Sequence, residues 1–176
     1  MRRAASQAWS RHRSGCWFRP PPRSTSHSPS RAETVADMDV PLDAAAVQRR
    51  LAVSPFIRLL DLTVLSTDPA RQEVVMRGPM RPEFERGAGS GQWHGGPIAG
   101  LIDTVGDFAL VMLLGHVVPT INLRIDYLRP AVATALLVTA RVRRAGRSVG
   151  TVDVDVCDEA GALVAIGRAT YATRPG

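Results

Sequence analysis

The apolar run over residues 93–114, WHGGPIAGLIDTVGDFALVMLL, constrains the fold of this chain more than any other stretch. Almost every residue after Pro97 is apolar, and only Asp103 and Asp107 carry charge. A helix that is apolar on all sides belongs in a protein core, and proline suits its first turn because no N–H is needed there. The sequence therefore predicts a buried helix over 95–114. A carboxylate on such a helix is costly to bury without a partner, so we expect Asp103 to have a function.

Composition and charge describe a near-neutral domain behind a basic segment. Hydrophobic residues make up 45% of the chain and charged residues 22%, which is typical of globular proteins. The net charge of +6 comes from residues 1–32, which hold seven Arg and no acidic residue and leave −1 for the rest. A near-neutral domain argues against nucleic-acid binding, and charges within the longest apolar run argue against a membrane span. Two cysteines in the whole chain, with only His94 and His116 beyond residue 32, argue against a metal site.

The basic segment has a composition that does not favour folding. Residues 1–37 are rich in Arg, Ser and Pro and cannot bury enough apolar area to offset chain entropy. We therefore predict a disordered tail over 1–37 and one folded domain over 38–176. An over-long start, with Met38 as the true initiator, is one interpretation and predicts a cytoplasmic protein. An organelle transit peptide is another, since such peptides are Arg- and Ser-rich and poor in acids. A tail without a targeting role is the third.

The remaining patterns predict an α+β order of elements. Asp43 is expected to cap a short helix over 43–52, which Pro55 ends. Four apolar residues after it are predicted to anchor into the core: Phe56, Ile57, Leu59 and Leu60. Predicted strands lie at 60–66, 72–77, 120–128, 135–143, 149–156 and 163–172. The connection over 80–92 is a predicted functional loop. This order, with the last four strands read as an antiparallel meander, predicts a sheet with one long helix on one face.

Residues at the start of the long helix indicate chemistry on a carbonyl group. The sequence His94-Gly95-Gly96 directly precedes that helix, and glycines let a backbone approach a ligand closely. Free N–H groups at a helix start can bind a developing negative charge, as an oxyanion hole does. Asp103, about two turns later, can act as a general base toward water or attack an acyl carbon itself. The two parts together indicate acyl transfer.

Four segments carry a resemblance to a known family. They are WHGGPIAGLID at 93–103, TINLRIDYLRPA at 120–131, RRAGRS at 143–148 and DEAGALVA at 158–165. Together they resemble the hotdog-fold acyl-CoA thioesterases, in the PaaI-like (phenylacetic acid degradation) branch, over about residues 40–173. The resemblance implies an α+β hotdog fold, in which a curved antiparallel sheet wraps around the long helix. It also implies a homodimer or a dimer of dimers that hydrolyses an acyl-CoA to free acid and CoA. No metal and no cofactor beyond the substrate's own CoA is implied.

The resemblance assigns catalytic roles to four residues. Asp103 corresponds to the family's catalytic carboxylate, acting as nucleophile or general base. Gly95 corresponds to the residue whose backbone N–H polarises the thioester carbonyl, and His94 shapes that turn. Thr120 resembles the hydroxyl residue that helps to hold the attacking water. In the family the carboxylate of one subunit faces the His-Gly turn of the other.

Further positions are predicted to bind substrate. Those that correspond to contacts with the CoA nucleotide or pantetheine arm are Arg143, Gly146, Arg147 and Ser148, although an exposed turn Arg is as often only solvated. Gly96 belongs to the oxyanion turn. The family usually has Asn or Gln where this chain has Ala88, and Ser90 or Gln92 is the predicted substitute.

Asp107 lies one turn beyond Asp103 on the same helix face and has two interpretations. It is either a second active-site carboxyl, in which case one pKa of the pair is raised, or a helix-surface or interface residue. Phe108, Val111 and Met112 are predicted core residues, and Tyr127 is predicted to pack.

Two other functions remain open. A hotdog hydratase or dehydratase needs a catalytic His on a different motif, which this sequence lacks. A non-catalytic acyl-CoA binding module keeps the pocket and loses the hydrolytic parts. Ala88 favours that second alternative, and Asp103 argues against it. Aryl, short-chain and medium-chain acyl groups all fit the sequence.

Overall fold

The computed structural model describes residues 41–174 and two dipeptides nearer the N-terminus. The dipeptides, Ser10–Arg11 (β1) and Trp17–Phe18 (β2), pair antiparallel in a two-stranded sheet of their own. The predicted disorder of 1–37 otherwise falls outside the described residues and stays a prediction.

The folded domain contains three α-helices, one 3-10 helix and six strands within residues 41–174. The helices are α1 (Ala44–Leu51), α2 (Pro55–Leu60), the 3-10 helix (Pro82–Phe84) and α3 (Gly95–Leu114). The strands are β3 (Thr63–Asp68), β4 (Glu73–Gly78), β5 (Thr120–Tyr127), β6 (Leu136–Ala145), β7 (Val149–Asp158) and β8 (Leu163–Ala172). The long helix therefore has the predicted bounds, and each predicted strand is present.

The region after α1 differs from the prediction, because Pro55 begins a helix there as well as following one. The Ser54 hydroxyl accepts a hydrogen bond from the Ile57 N–H at 3.4 Å, which caps α2, and proline is favoured at a first helical position. The strand predicted from residue 60 consequently starts only at Thr63. Of the predicted core anchors, Leu60 is buried, whereas Phe56 and Leu59 lie on the exposed side of this short helix.

The sheet order is β3-β4-β6-β7-β8-β5, and all neighbouring pairs are antiparallel. The predicted four-stranded meander is wrong in one respect, because β5 pairs with β8 and lies at an edge. After β5 the chain passes beside the segment that precedes α3. The Trp93 N–H donates a hydrogen bond to the Ala131 carbonyl at 3.0 Å and joins the two segments. The chain then enters β6, which pairs with β4. Alternation along a strand identifies its buried face but not its neighbours, so the sequence could not give this order.

Helix α3 packs across the inner face of the sheet, which confirms the predicted α+β hotdog class. Eleven of its residues are buried, among them the predicted core residues Phe108, Val111 and Met112. By length and composition, α3 is the one helix among the described residues that could cross a membrane. Most of its most apolar window is buried inside the domain, so core packing accounts for its hydropathy.

Two glycines allow α3 to approach the sheet closely. A Cβ added at Gly106, on α3, would collide with the Tyr171 hydroxyl. A Cβ added at Gly167, on β8, would collide with the side chain of Ile102. The spacing between helix and sheet therefore depends on these two positions having no side chain.

We predict that Gly167→Ala lowers the free energy of unfolding by about 1–3 kcal/mol, because the added methyl overpacks the contact with Ile102. Gly87→Ala is the matched control, since an added Cβ there meets nothing within 4 Å. Urea denaturation of both variants measures the difference. Equal midpoints for the two variants would show that the core can absorb the methyl group.

Candidate active site

Strand β5 runs antiparallel to α3, and this alignment brings Thr120 to Asp103 and Tyr127 to Gly95. The backbone N–H of Val118, just before β5, hydrogen-bonds Asp107. The Thr120 hydroxyl donates to Asp103 Oδ1 at 2.8 Å. At the far end of the strand, the Tyr127 hydroxyl, whose residue was predicted only to pack, donates to a backbone carbonyl at the start of α3 at 2.7 Å. Val118 and the two ends of β5 thus contact α3 at three successive levels.

A bulge aims the Thr120 side chain at the helix. Strict alternation would put Thr120 on the same outer face as Asn122 and Arg124. The pairing of β5 with β8 shifts register between Thr120 and Asn122, and such a bulge re-aims a side chain. Asp103 Oδ1 therefore has a hydroxyl partner, while Oδ2 accepts no side-chain hydrogen bond from the described part of the chain.

The start of α3 leaves one backbone donor free. His94 caps the helix, and its Nδ1 accepts a hydrogen bond from the Gly96 N–H at 3.0 Å, so a neutral His94 carries its proton on Nε2. Pro97 has no N–H to donate. The Gly95 N–H makes no hydrogen bond within residues 41–174. Of the two glycines predicted for this turn, Gly95 has the available N–H and Gly96 does not.

Gly95 and Asp103 of one chain are too far apart to act on the same carbonyl. They are separated by eight residues of continuous α-helix, which is about 12 Å along the helix axis. An oxyanion donor and a general base each need to lie about 3 Å from the group on which they act. Within one chain the structure therefore brings Asp103 to Thr120 but not to the Gly95 N–H.

Asp107 is partly buried next to Asp103, and its Oδ1 is fully buried without a hydrogen-bond partner in the described residues. Burial, together with the negative charge of Asp103, raises the pKa of Asp107 to about 7. The Val118 N–H offsets part of this effect. Asp107 is thus a second carboxyl beside the candidate catalytic one, and a large part of its population is protonated at neutral pH.

Tyr171 fixes the backbone at Asp103 from the sheet side. It lies opposite Thr120 in the pairing of β8 with β5, and its buried hydroxyl donates to the Asp103 carbonyl at 2.9 Å. Burial, with the charges of Asp103 and Asp107, raises the pKa of Tyr171, so the phenol keeps its proton. Tyr171 is a site residue that no sequence motif indicates. The alternation of β8 places it on the inner face, but nothing in the sequence pairs it with Asp103.

The loop before α3 is organised by its own side chains. The Glu85 carboxylate accepts hydrogen bonds from the N–H groups of Gly89 and Gly91. The Ser90 hydroxyl accepts from the Gln92 N–H at 3.2 Å, so it is committed to the loop. Ala88 is exposed. Within the described residues the half-buried Gln92 side chain makes no hydrogen bond, which leaves its amide available.

The predicted CoA-binding turn lies beside the C-terminal half of α3, away from His94. Gly150, just after this turn, packs on Leu110, and the Thr173 hydroxyl donates to the Gly146 carbonyl at 2.5 Å. Arg143 is ion-paired with Asp153 at 2.6 Å. Two of the predicted residues are exposed and bind no other side chain within the described ranges: Arg147 and Ser148.

A cavity of about 270 Å³ lies on the outer face of the sheet, opposite α3. Its charged lining is largely paired, since Asp153 binds both Arg143 and Arg168 and Asp155 binds Arg141. Hydrogen bonds from Arg168 and Arg143 hold the pKa of Asp153 below its usual range. None of the predicted catalytic residues lines this cavity.

We predict that Asp107→Asn stabilises the protein in a pH-dependent way. A carboxyl with a pKa of about 7 when folded, and an ordinary pKa of about 4 when unfolded, binds more protons in the folded state between these values. The free energy of unfolding of the wild type therefore falls as the pH rises from about 4 to about 7. The variant avoids this loss and is expected to be more stable by about 2–4 kcal/mol at pH 8.

Denaturant unfolding at pH 4 to 8 measures this effect, and the gain should vanish near pH 4. Asp126→Asn, on the outer face of β5, is the matched control for the loss of one charge, since its ion pair with Arg124 is largely exposed. Parallel stability curves for wild type and Asp107→Asn would contradict the prediction.

Comparison with known proteins identifies relatives of this site. A family model described as the thioesterase superfamily matches residues 90–165, which include His94, Gly95, Asp103 and Thr120. A protein of Halobacterium salinarum, named as a candidate esterase, is 32% identical over 139 residues. That alignment covers 73% of this chain and 90% of the relative.

Solved structures show the same fold. Zebrafish thioesterase superfamily member 2 is similar with a TM-score of 0.66 and 31% identity, over 75% of this chain and 99% of that one. The E. coli PaaI protein from the phenylacetic acid degradation operon has a TM-score of 0.65 at 24% identity, over 73% and 91% of the two chains. The second similarity is one of fold alone.

Proposed function

Because the chain belongs to the hotdog-fold thioesterase superfamily, we propose that it is a PaaI-like member that hydrolyses an acyl-CoA thioester to a free acid and CoA. One observation supports the assignment of the catalytic groups in this proposal. The Asp103 carboxylate, held by Thr120, lies on the same helix as a Gly95 N–H that has no partner in residues 41–174. A base and an oxyanion donor are the two groups that acyl transfer needs.

The proposed site is built from two chains. Strand β5 is an edge strand, and apolar side chains next to and within it are exposed, including Val117 at 77% and Ile121 at 58%. An unpaired edge with such residues favours pairing with a second copy, and a two-fold axis would align β5 antiparallel to itself. The Thr120 end of one strand then lies beside the Tyr127 end of the other.

That pairing would bring together the groups that one chain keeps apart. Thr120 contacts Asp103, and Tyr127 contacts Gly95, within each chain. Crossing the two strand ends therefore sets Asp103 of one subunit opposite Gly95 of the partner subunit. We propose a homodimer with two such composite sites. A dimer of dimers is compatible with the same pairing.

In the general-base route, Asp103 takes a proton from water as the water oxygen attacks the thioester carbon. The Gly95 N–H of the partner subunit receives the negative charge that develops on the carbonyl oxygen. When the intermediate collapses, the C–S bond breaks and the sulfur leaves with the proton from Asp103. The products are the free acid and CoA, and the steps need neither a metal nor a redox group.

In the nucleophilic route, Asp103 attacks the carbon itself, CoA leaves, and water hydrolyses the resulting anhydride. Thr120 fits both routes. Its proton is directed at Asp103 Oδ1, so its oxygen can still accept a hydrogen bond from water. Gln92 is the proposed substitute for the amide that Ala88 lacks, because its side chain is uncommitted among residues 41–174 while Ser90 is not.

We expect Asp103→Asn to lower thiol release from the best acyl-CoA of an aryl, short-chain and medium-chain panel by about 100-fold or more. That loss corresponds to roughly 2.7 kcal/mol of transition-state stabilisation. Asp126→Asn on the outer face of β5 is the matched control and should stay within about twofold, since among residues 41–174 its side chain pairs with Arg124 alone. If the wild type binds acyl-CoA but releases no thiol, the protein is an acyl-CoA binding module and not an enzyme.

The role of Gly95 is tested by Gly95→Pro against Gly95→Ala. Both variants add a Cβ that would lie 3.2 Å from Tyr127, but only proline removes the N–H. His94 is extended, with φ −75° and ψ 147°, and so tolerates a following proline. We expect Gly95→Pro to be about 100-fold slower than Gly95→Ala, which is the effect of losing one oxyanion donor.

Mixing inactive subunits tests the composite site. In a heterodimer of Asp103→Asn with Gly95→Pro, one site keeps both functional groups and the other has neither. Equal mixing and exchange of subunits should restore about a quarter of the wild-type sites. A mixture as inactive as its components, with exchange confirmed by mass spectrometry, would place both groups in one chain.

A further inference from the structure

One peptide unit at the start of α3 is held at both ends by side chains. The Gly95 carbonyl accepts a hydrogen bond from the Tyr127 hydroxyl at 2.7 Å. The Gly96 N–H donates to His94 Nδ1 at 3.0 Å. This carbonyl and this N–H belong to the same planar peptide group. Tyr127 of β5 and the helix cap His94 thus hydrogen-bond the same peptide group from opposite sides.

These two hydrogen bonds matter because two adjacent glycines form an intrinsically flexible backbone. Without a Cβ, glycine has a wide range of φ and ψ and loses the most freedom on ordering. The direction of the Gly95 N–H depends on how the peptide before Gly95 is rotated relative to the peptide after it. The hydrogen bond from the His94 N–H to the Phe84 carbonyl, at 2.8 Å, steadies the preceding residue. The following peptide is part of α3, where its carbonyl faces the Ala99 N–H, and Tyr127 adds a second restraint from β5.

We propose that Tyr127 is a positioning residue that, with His94, clamps the Gly95–Gly96 peptide and thereby fixes the direction of the Gly95 N–H. This inference rests on the proposed function of that N–H as the oxyanion donor. Tyr127 acts through Gly95 and does not touch the reacting atoms.

The position of Tyr127 suits this role. The alternation of β5 puts it on the inner face with Leu123 and Ile125, at the last residue of the strand. Its ring and hydroxyl lie 3.2–3.4 Å from where a Gly95 Cβ would be, so the contact uses the absence of a side chain at Gly95. Burial raises the pKa of Tyr127, which keeps the hydroxyl in its donating form.

The test is Tyr127→Phe, which removes the hydroxyl and keeps the ring. A misdirected oxyanion donor weakens transition-state binding more than substrate binding. We expect kcat to fall about 5- to 10-fold, the effect of one neutral hydrogen bond, with KM changed less than about twofold. Unchanged kcat would overturn the proposal.

A double-mutant cycle separates positioning from any other effect of Tyr127. In the Gly95→Pro background the N–H is gone, so Tyr127→Phe should cause no further loss of kcat. An equal loss in both backgrounds would show that Tyr127 acts by another path and would overturn the clamp.

Amide hydrogen exchange gives a readout that does not depend on activity. In Tyr127→Phe the Gly96 amide should exchange about 10-fold faster, because its peptide loses the hydrogen bond from β5 to the Gly95 carbonyl. The Gly115 amide, which is bonded to the Val111 carbonyl at the other end of α3, is the internal control. If the wild type releases no thiol, the proposed function is rejected. Faster exchange at Gly96 in Tyr127→Phe would still support the clamp in that case. Unchanged exchange at Gly96 would reject the clamp.

Discussion

The antiparallel packing of β5 along α3 determines where every candidate catalytic group lies. Because strand and helix run in opposite directions, the two ends of β5 meet different levels of α3, Thr120 at Asp103 and Tyr127 at Gly95. This packing requires a helix that is apolar on nearly all sides. It also requires a small residue where the helix meets the sheet, at Gly106 beneath Tyr171. The positions of the candidate catalytic groups therefore depend on how the core packs.

The same packing explains why one chain holds only half of the proposed chemistry at each end. A straight helix keeps Gly95 and Asp103 about 12 Å apart, whatever the side chains do. An edge strand that links both levels can resolve this separation, because its two-fold pairing exchanges the ends. The exposed Ile121 on that edge fits the same arrangement. The proposed oligomeric state and the proposed reaction thus both follow from the fold.

The sequence predicted the elements well and their neighbours less well. A single apolar run fixed the bounds of α3 and singled out Asp103, because a carboxylate in such a helix is unusual. Helix α2 was missed, since Pro55 was taken only as a stop. The place of β5 beside β8 was also missed, because pairing partners depend on tertiary contacts. The contact of Tyr127 with Gly95 joins residues 32 positions apart and leaves no local pattern. Alternation along β5 showed its inward direction but not its partner.

The second carboxyl on α3, Asp107, lies where a negative charge is unfavourable. Burial and the nearby Asp103 both disfavour a charge on Asp107, so near neutral pH the pair tends to hold one negative charge rather than two. Asp103 has the hydroxyl of Thr120 as a partner for its Oδ1. Asp107 instead has one oxygen buried without a partner in the described chain, which stabilises its neutral form. Two similar residues one helical turn apart thus lie in different environments. Asp103 reaches a hydroxyl on β5, whereas burial, with the charge of Asp103, raises the pKa of Asp107.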